Sequence, residues 1–70
     1  MPRAEPLIGY FTGTYNEAPA RISVYKAGRT YRLWYGDRKH LCHPSVKTIE
    51  DAKREAFLVF SVKVESYSQV

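Results

Sequence analysis

The predicted fold of this chain depends most on residues 30–43, which read Thr-Tyr-Arg-Leu-Trp-Tyr-Gly-Asp-Arg-Lys-His-Leu-Cys-His. Aromatic and β-branched residues fill Thr30–Tyr35 and alternate between two faces, a pattern typical of a half-buried strand. The pair Gly36-Asp37 is a hairpin-turn signal. We therefore predict that Arg38–His43 returns as the antiparallel neighbour of Thr30–Tyr35.

The register of this hairpin has two solutions. A two-residue loop pairs Leu33 with His40, whereas a three-residue loop pairs Leu33 with Leu41. A shift of one residue exchanges the faces of Leu41 and Cys42, and the sequence does not choose between them.

Two further strands are predicted on the amino-terminal side. Leu7–Tyr15 is rich in aromatic and β-branched residues, although Gly9 and Gly13 mark a bulge or an edge strand. Residues 16–19 form a turn that ends in proline, so the next strand is expected to start after it. That strand, Arg21–Lys26, alternates regularly between apolar and polar residues.

A helix is predicted over residues 48–66. Thr48 is suited to cap its amino terminus, and Asp51 follows in the first turn, where an acid stabilises the helix dipole. A spacing of 100° per residue gathers one apolar stripe: Ile49, Ala52, Ala56, Val59, Phe60 and Tyr67. Residues 57–65 also alternate like a strand, but no Gly or Pro interrupts the helix, so the helix is favoured.

These elements predict an α+β fold: a three- to four-stranded antiparallel sheet over residues 7–43, packed against one C-terminal helix. The 70 residues form a single small domain with a flexible N-terminus at residues 1–6 and a marginal core. No apolar run suggests a membrane span. A single cysteine and the lack of a signal peptide favour the reducing cytoplasm.

Charge is concentrated in the middle of the chain. The net charge is +4, yet residues 18–47 carry +6 and the remainder −2. This imbalance favours an anionic partner, and solubilising charge on exposed strands explains it equally well.

No enzymatic site is evident in the sequence. His40-Leu41-Cys42-His43 offers three metal ligands, but on a strand His43 points away from the other two, and no further His or Cys exists to complete a zinc site. Cys42 lacks an orienting acid and is expected to pack as a small hydrophobe. We predict no catalytic residue, no metal and no cofactor.

A binding surface is better supported, because basic and aromatic residues interleave along the predicted strands. Such a face can contact phosphates and stack on bases. A solvent-facing sheet surface on which long Lys and Arg side chains cover Trp34 explains the pattern too. The candidate nucleic-acid or partner contacts are Arg21, Tyr25, Lys26, Arg29, Arg32, Trp34, Arg38 and Lys39. A protein interface or a homodimer through the back of the helix is the alternative, with anchors at Tyr10, Tyr15, Leu58 and Val62.

Residues 31–39 (Tyr-Arg-Leu-Trp-Tyr-Gly-Asp-Arg-Lys) and 48–56 (Thr-Ile-Glu-Asp-Ala-Lys-Arg-Glu-Ala) resemble the arm-binding domains of tyrosine recombinases and the plant ethylene-response-type DNA-binding domains. The resemblance implies a three-stranded sheet in the DNA major groove, supported by the helix. It implies DNA contacts at Arg21, Tyr25, Arg32, Trp34, Arg38 and Lys39.

By size and basic charge the chain also resembles small phage or mobile-element proteins that block a host machine, anti-CRISPR proteins among them. We therefore expect a non-enzymatic module that binds nucleic acid, DNA first, or the machinery that handles it. The alternative is a protein inhibitor that occludes a host protein or nucleoprotein complex.

Overall fold

The computed structural model describes residues 5–70 of the chain. It contains one antiparallel sheet of five strands in the order β4-β3-β2-β1-β5 and one helix, an α+β fold as predicted, with one strand more than expected. The elements are β1 (Leu7–Tyr15), β2 (Ala18–Ala27), β3 (Thr30–Tyr35), β4 (Arg38–Leu41), α1 (Ile49–Phe60) and β5 (Lys63–Gln69). Within residues 5–70, no helix has the length and apolarity needed to cross a membrane.

The helix begins where predicted and ends earlier. Thr48 caps α1, since its Oγ1 accepts a hydrogen bond of 3.1 Å from the Asp51 N–H. The prediction of a helix over 48–66 is wrong beyond Phe60, because Ser61 adopts the left-handed conformation with φ 59° and donates its N–H to the Phe57 carbonyl. A left-handed residue ends a helix without glycine or proline. The strand pattern in residues 57–65 was the correct signal from residue 63 onward.

The connection between β1 and β2 is tighter than predicted. Asn16 and Glu17 form a two-residue turn, and both have positive φ (49° and 65°), as a type I′ hairpin requires. Strand β2 therefore starts at Ala18 and includes Pro19, which was expected to precede it. β3 pairs with β2 only from Ser23 onward, so residues 18–22 have a neighbouring strand on one side only. This part of β2 therefore tolerates a residue without an N–H.

The β3–β4 hairpin has the two-residue loop of the two registers considered. Leu33 pairs with His40, and Gly36 in the loop has φ 64°. This register turns Cys42 into the core, where it is 1% exposed, and leaves Leu41 50% exposed.

The core lies between one face of the sheet and α1. Its largest fully buried side chains come from the strands and from the two connections to α1: Phe11, Ile22, Leu33, Val24, Val62 and Cys42. The helix contributes Ala52, Ala56 and Phe60. Each of the large side chains stabilises the fold by about 1.5–3 kcal/mol when it is fully buried.

Strand β1 carries the predicted irregularities, although it lies inside the sheet and not at its edge. The register shifts between Leu7 and Gly9 against β2, and between Thr12 and Gly13 against β5. At Gly13 a Cβ would overlap the Lys63 carbonyl group. Glycine is therefore required for β5 to approach β1 this closely.

The predicted flexible N-terminus, residues 1–6, lies partly outside the described residues. Within them, Glu5 and Pro6 are held against the sheet: the Pro6 carbonyl accepts a 2.9 Å hydrogen bond from the Lys26 N–H, and Glu5 pairs with Arg32. The sequence pattern does not reveal these partners on β2 and β3, and the flexibility of residues 1–6 stays a prediction.

Candidate binding surface on the open sheet face

The helix covers one face of the sheet, here the closed face, and leaves the opposite face without a packing layer among the described residues. Side chains that alternate with the core residues point to this side. We name it the open face, defined by Tyr10, Thr12, Thr14, Arg21, Ser23, Tyr25, Arg32, Trp34, Lys39, Leu41, Lys63, Ser66 and Ser68.

One row of side chains crosses the open face at right angles to the strands. Cross-strand pairing links Ser68, Tyr10, Ser23, Trp34 and Lys39 in that order, one residue from each strand. Side chains directly opposite one another on neighbouring strands lie about 5 Å apart. The row therefore places two aromatic rings and a terminal cation along a continuous line across the sheet.

Two cations of the open face lie over aromatic rings. The Arg21 guanidinium carbon is 4.3 Å from the centre of the Tyr10 ring, and the Lys39 Nζ is 5.6 Å from the Trp34 ring. Such cation–π contacts are worth about 0.5–1 kcal/mol at exposed sites. Each cation thus lies over a ring face, and surfaces that bind single-stranded nucleic acid combine such aromatic rings with nearby cations.

Arg32 is on the open face but its charge is already matched. Its Nε lies 2.7 Å from Glu5 Oε1 and its Nη2 lies 3.3 Å from Glu5 Oε2, a two-pronged ion pair. Among residues 5–70, Arg21 and Lys39 have no carboxylate within salt-bridge distance. Lys63, which pairs with Thr14 at the start of β5, is a third exposed cation of this face without such a partner among these residues. Arg21 and Lys39 are therefore the two available cations that also lie over aromatic rings.

Three of the predicted contacts lie elsewhere. Lys26 is on the closed face, with its Nζ 4.6 Å from the Tyr31 ring. Arg38 is also on that side, over the Phe60 ring at 5.7 Å, and Arg29 is exposed in the β2–β3 turn. The open face thus brings together five of the eight predicted contacts: Arg21, Tyr25, Arg32, Trp34 and Lys39.

The predicted protein anchors do not form one surface. Tyr10 is on the open face, while Tyr15 packs edge-on against Tyr35 at 6.1 Å on the closed face. The expected exposed pair of Leu58 and Val62 does not exist, because Val62 lies beyond the end of α1 and is fully buried.

The exposed apolar residues of α1 are instead Phe57, Leu58 and Val59, with exposed fractions of 57%, 66% and 37%. The prediction that Val59 belongs to the buried stripe of the helix is therefore wrong. Phe57 was missed because it falls outside the apolar stripe of the helix. An aromatic residue outside that stripe was the available signal.

A second cluster of chemically active side chains lies under the helix, on the closed face. His40 Nε2 is 3.1 Å from Glu55 Oε1. One ligand atom from each of His40, Cys42 and Glu55 lies within 4.8 Å of the other two. Burial, and secondly the negative charge of Glu55, raise the pKa of Cys42 to about 11. The thiol is thus protonated at neutral pH in the metal-free protein, which makes it a poor nucleophile.

His43 stands apart from this cluster, as the sequence predicts. Its Nδ1 lies 2.9 Å from the Ser45 Oγ and accepts a 3.1 Å hydrogen bond from the Ser45 N–H. Glu55 was not among the predicted ligands, because its proximity depends on how α1 crosses β4.

Comparison with protein-family models, with curated proteins and with solved structures found no match to this chain. The resemblance to recombinase arm-binding domains and to ethylene-response-type domains therefore stays a prediction. The site itself defines a class: a small α+β module with an uncovered sheet face on which aromatic rings and cations alternate.

Proposed function

We propose that this chain is a non-enzymatic module that binds single-stranded nucleic acid, DNA in the first place, on the open face. The observation that carries the proposal is the row across all five strands, in which Tyr10 and Trp34 each lie beside an unpaired cation. Aromatic rings on a sheet stack on bases with about 1–3 kcal/mol per base, and neighbouring cations contact the phosphates.

The width of the sheet favours single strands over the groove binding that the family resemblance implies. Five strands with a spacing of about 4.8 Å make a face about 19 Å across. The major groove of DNA is about 12 Å wide and admits a helix or a two-stranded ribbon. A flat face of this width is better suited to a strand whose bases are splayed over it.

The charges of the open face set the expected affinity and its salt dependence. Arg21 and Lys39 are free to contact phosphates, whereas Arg32 must first leave Glu5. Two or three contacts to single-stranded nucleic acid give a slope of about −1.4 to −2.1 in log K against log salt. Binding is therefore expected to be micromolar at low salt and weaker at physiological salt.

The proposal is tested by measuring binding to a labelled oligothymidine by fluorescence anisotropy. The same oligothymidine paired with its complementary strand is the comparison. Trp34→Ala is expected to lower the affinity at least tenfold and Arg21→Ala several-fold. Arg54→Ala is the matched control, since Arg54 is an exposed arginine on α1, on the other side of the sheet. Absence of binding at low salt, or equal losses in Arg21→Ala and Arg54→Ala, would overturn it.

A protein partner is the second candidate, and the exposed pair Phe57 and Leu58 supports it. Aromatic and aliphatic side chains without a covering layer are typical anchors of a protein interface. In this alternative the chain occludes a host protein or nucleoprotein complex, as expected of phage or mobile-element inhibitors, or forms a homodimer through α1. Sedimentation at increasing concentration, with Phe57→Ser as the variant, tests the homodimer directly.

The proposed site of action is the cytoplasm. The lone cysteine Cys42 is a buried free thiol, and a reducing compartment keeps it so.

A further inference from the structure

We propose that His40, Cys42 and Glu55 form a zinc-binding site between the end of β4 and α1. The three donor atoms already lie within 4.8 Å of one another. The site is on the closed face, opposite the proposed nucleic-acid surface, so it is independent of that proposal. The sequence disfavours a metal here because it offers only two ligands on one side of the strand. The structure supplies the third from the helix.

The backbone fixes the positions of all three ligands. His40 pairs with Leu33 in the β3–β4 ladder, and the Cys42 N–H donates a 2.9 Å hydrogen bond to the Tyr31 carbonyl. Residues 40 and 42 therefore point to the same side of the sheet, toward α1. Glu55 is next to the fully buried Ala56 on α1, and its Oε1 lies 3.1 Å from His40 Nε2.

The donor set matches the preferences of zinc. Thiolate, imidazole and carboxylate are its three common protein ligands, with bond lengths of about 2.0–2.3 Å. Tetrahedral coordination at these lengths requires donor atoms about 3.3–3.8 Å apart. His40 Nε2 and Glu55 Oε1 are 3.1 Å apart and no pair exceeds 4.8 Å, so shifts of about 1 Å in side-chain positions complete the geometry.

A cavity borders the cluster at Glu55. Its volume is about 240 Å³, and it is lined by Ser45, Val46, Asp51, Arg54 and Glu55. Zinc in proteins is four-coordinate, and sites with three protein ligands keep a water in the fourth position. Formation of the Zn–S bond replaces the S–H bond of Cys42, and the proton leaves to solvent.

Such a site links β4 and the residue after it to α1, because the metal binds His40 and Cys42 on one side and Glu55 on the other. A domain of this size has little core to stabilise it, and metal binding to the folded state adds directly to its stability. We therefore expect zinc to raise the thermal midpoint of unfolding by about 10–20 °C when free zinc is one hundred times the dissociation constant.

The test is a titration of the reduced, chelator-treated protein with zinc chloride by calorimetry and with cobalt chloride by absorption. We expect one ion per chain and a thiolate-to-cobalt charge-transfer band in the near ultraviolet. Glu55→Gln keeps the shape of the side chain and is expected to weaken zinc binding at least tenfold while retaining the band. Cys42→Ser is expected to abolish the band.

His43→Gln is the matched control, because His43 is an exposed histidine next to the cluster that bonds only to Ser45. Its zinc affinity should equal that of the unmodified chain. No zinc binding up to about 100 μM free ion overturns the proposal, because zinc sites that stabilise small domains are far tighter. It is also overturned if Glu55→Gln binds as tightly as the unmodified chain, a result that does not depend on whether Cys42→Ser folds.

Discussion

The closed and open faces of the sheet are built from alternate residues of the same strands, yet they differ in burial. On β2 and β3 the closed face carries Ile22, Val24 and Leu33, all fully buried. The open face carries Arg21 and Trp34, which remain accessible. The period-two alternation of a strand is thus sufficient to place the stability of the domain on one side and its proposed binding function on the other.

The sharpest way to break this comparison is to truncate neighbouring residues that point to opposite faces. Ile22→Ala is expected to lower the free energy of unfolding by about 2–5 kcal/mol, because it leaves a cavity in the core. Ser23→Ala should change it by no more than about 0.5 kcal/mol. Urea unfolding of the two variants measures both values, and similar losses would contradict the assignment of the two faces.

The approach of β5 to β1 gives the next largest expected effect. Gly13→Ala should destabilise the fold by about 1–3 kcal/mol, because the added methyl group meets the backbone of Lys63. Gly28→Ala is the comparison: Gly28 has φ +62° but open space around it, so only backbone strain of about 1 kcal/mol is expected. A smaller loss at Gly13 than at Gly28 would show that β5 does not pack this tightly.

The closed face also has its own pH dependence. The pKa of Cys42 is raised from 9.0 to about 11 in the folded chain, so above pH 9 the thiol ionises in the unfolded state only. This contribution to stability is fully present below pH 9 and is lost as the pH rises toward 11, by up to about 2 kcal/mol. In chelator, the stability of Cys42→Ala should therefore fall less steeply over this range, and parallel curves would contradict the raised pKa.

The smallest expected effect concerns the junction of helix and last strand. Ser61 has φ 59°, a conformation that glycine adopts without penalty. Ser61→Gly is thus expected to raise the free energy of unfolding by about 0.5–1 kcal/mol. Ser66→Gly, in the extended β5, should lower it. A loss of stability in Ser61→Gly would contradict the left-handed helix end.

Most of the sheet could be predicted because its signal is local. Alternation in Arg21–Lys26 and Thr30–Tyr35 identified both strands and their faces, and Thr48 identified the start of the helix. The end of the helix was missed for two reasons. Ser61 adopts a left-handed conformation for which glycine is the usual sequence signal, and residues 57–65 fit both the helix and the strand periodicity.

The details of both sites were beyond the sequence because they depend on contacts between distant residues. Glu5 and Arg32 are 27 residues apart, and nothing in the strand pattern indicates that one neutralises the other. Glu55 meets His40 only after the hairpin register and the path of α1 are set. The alternation predicts the sheet face on which each side chain lies. The distant residue that the side chain contacts is known only from the assembled fold.

The most direct test of the central claim uses the fluorescence of Trp34, the single tryptophan of the chain, which lies in the row across the open face. Titration with unlabelled oligothymidine at low salt is expected to quench this emission in a saturable manner, because a base stacks on the indole. The midpoint should rise with salt, in step with loss of phosphate contacts. An emission spectrum that does not change while oligonucleotide binds would place the nucleic acid elsewhere and contradict the claim.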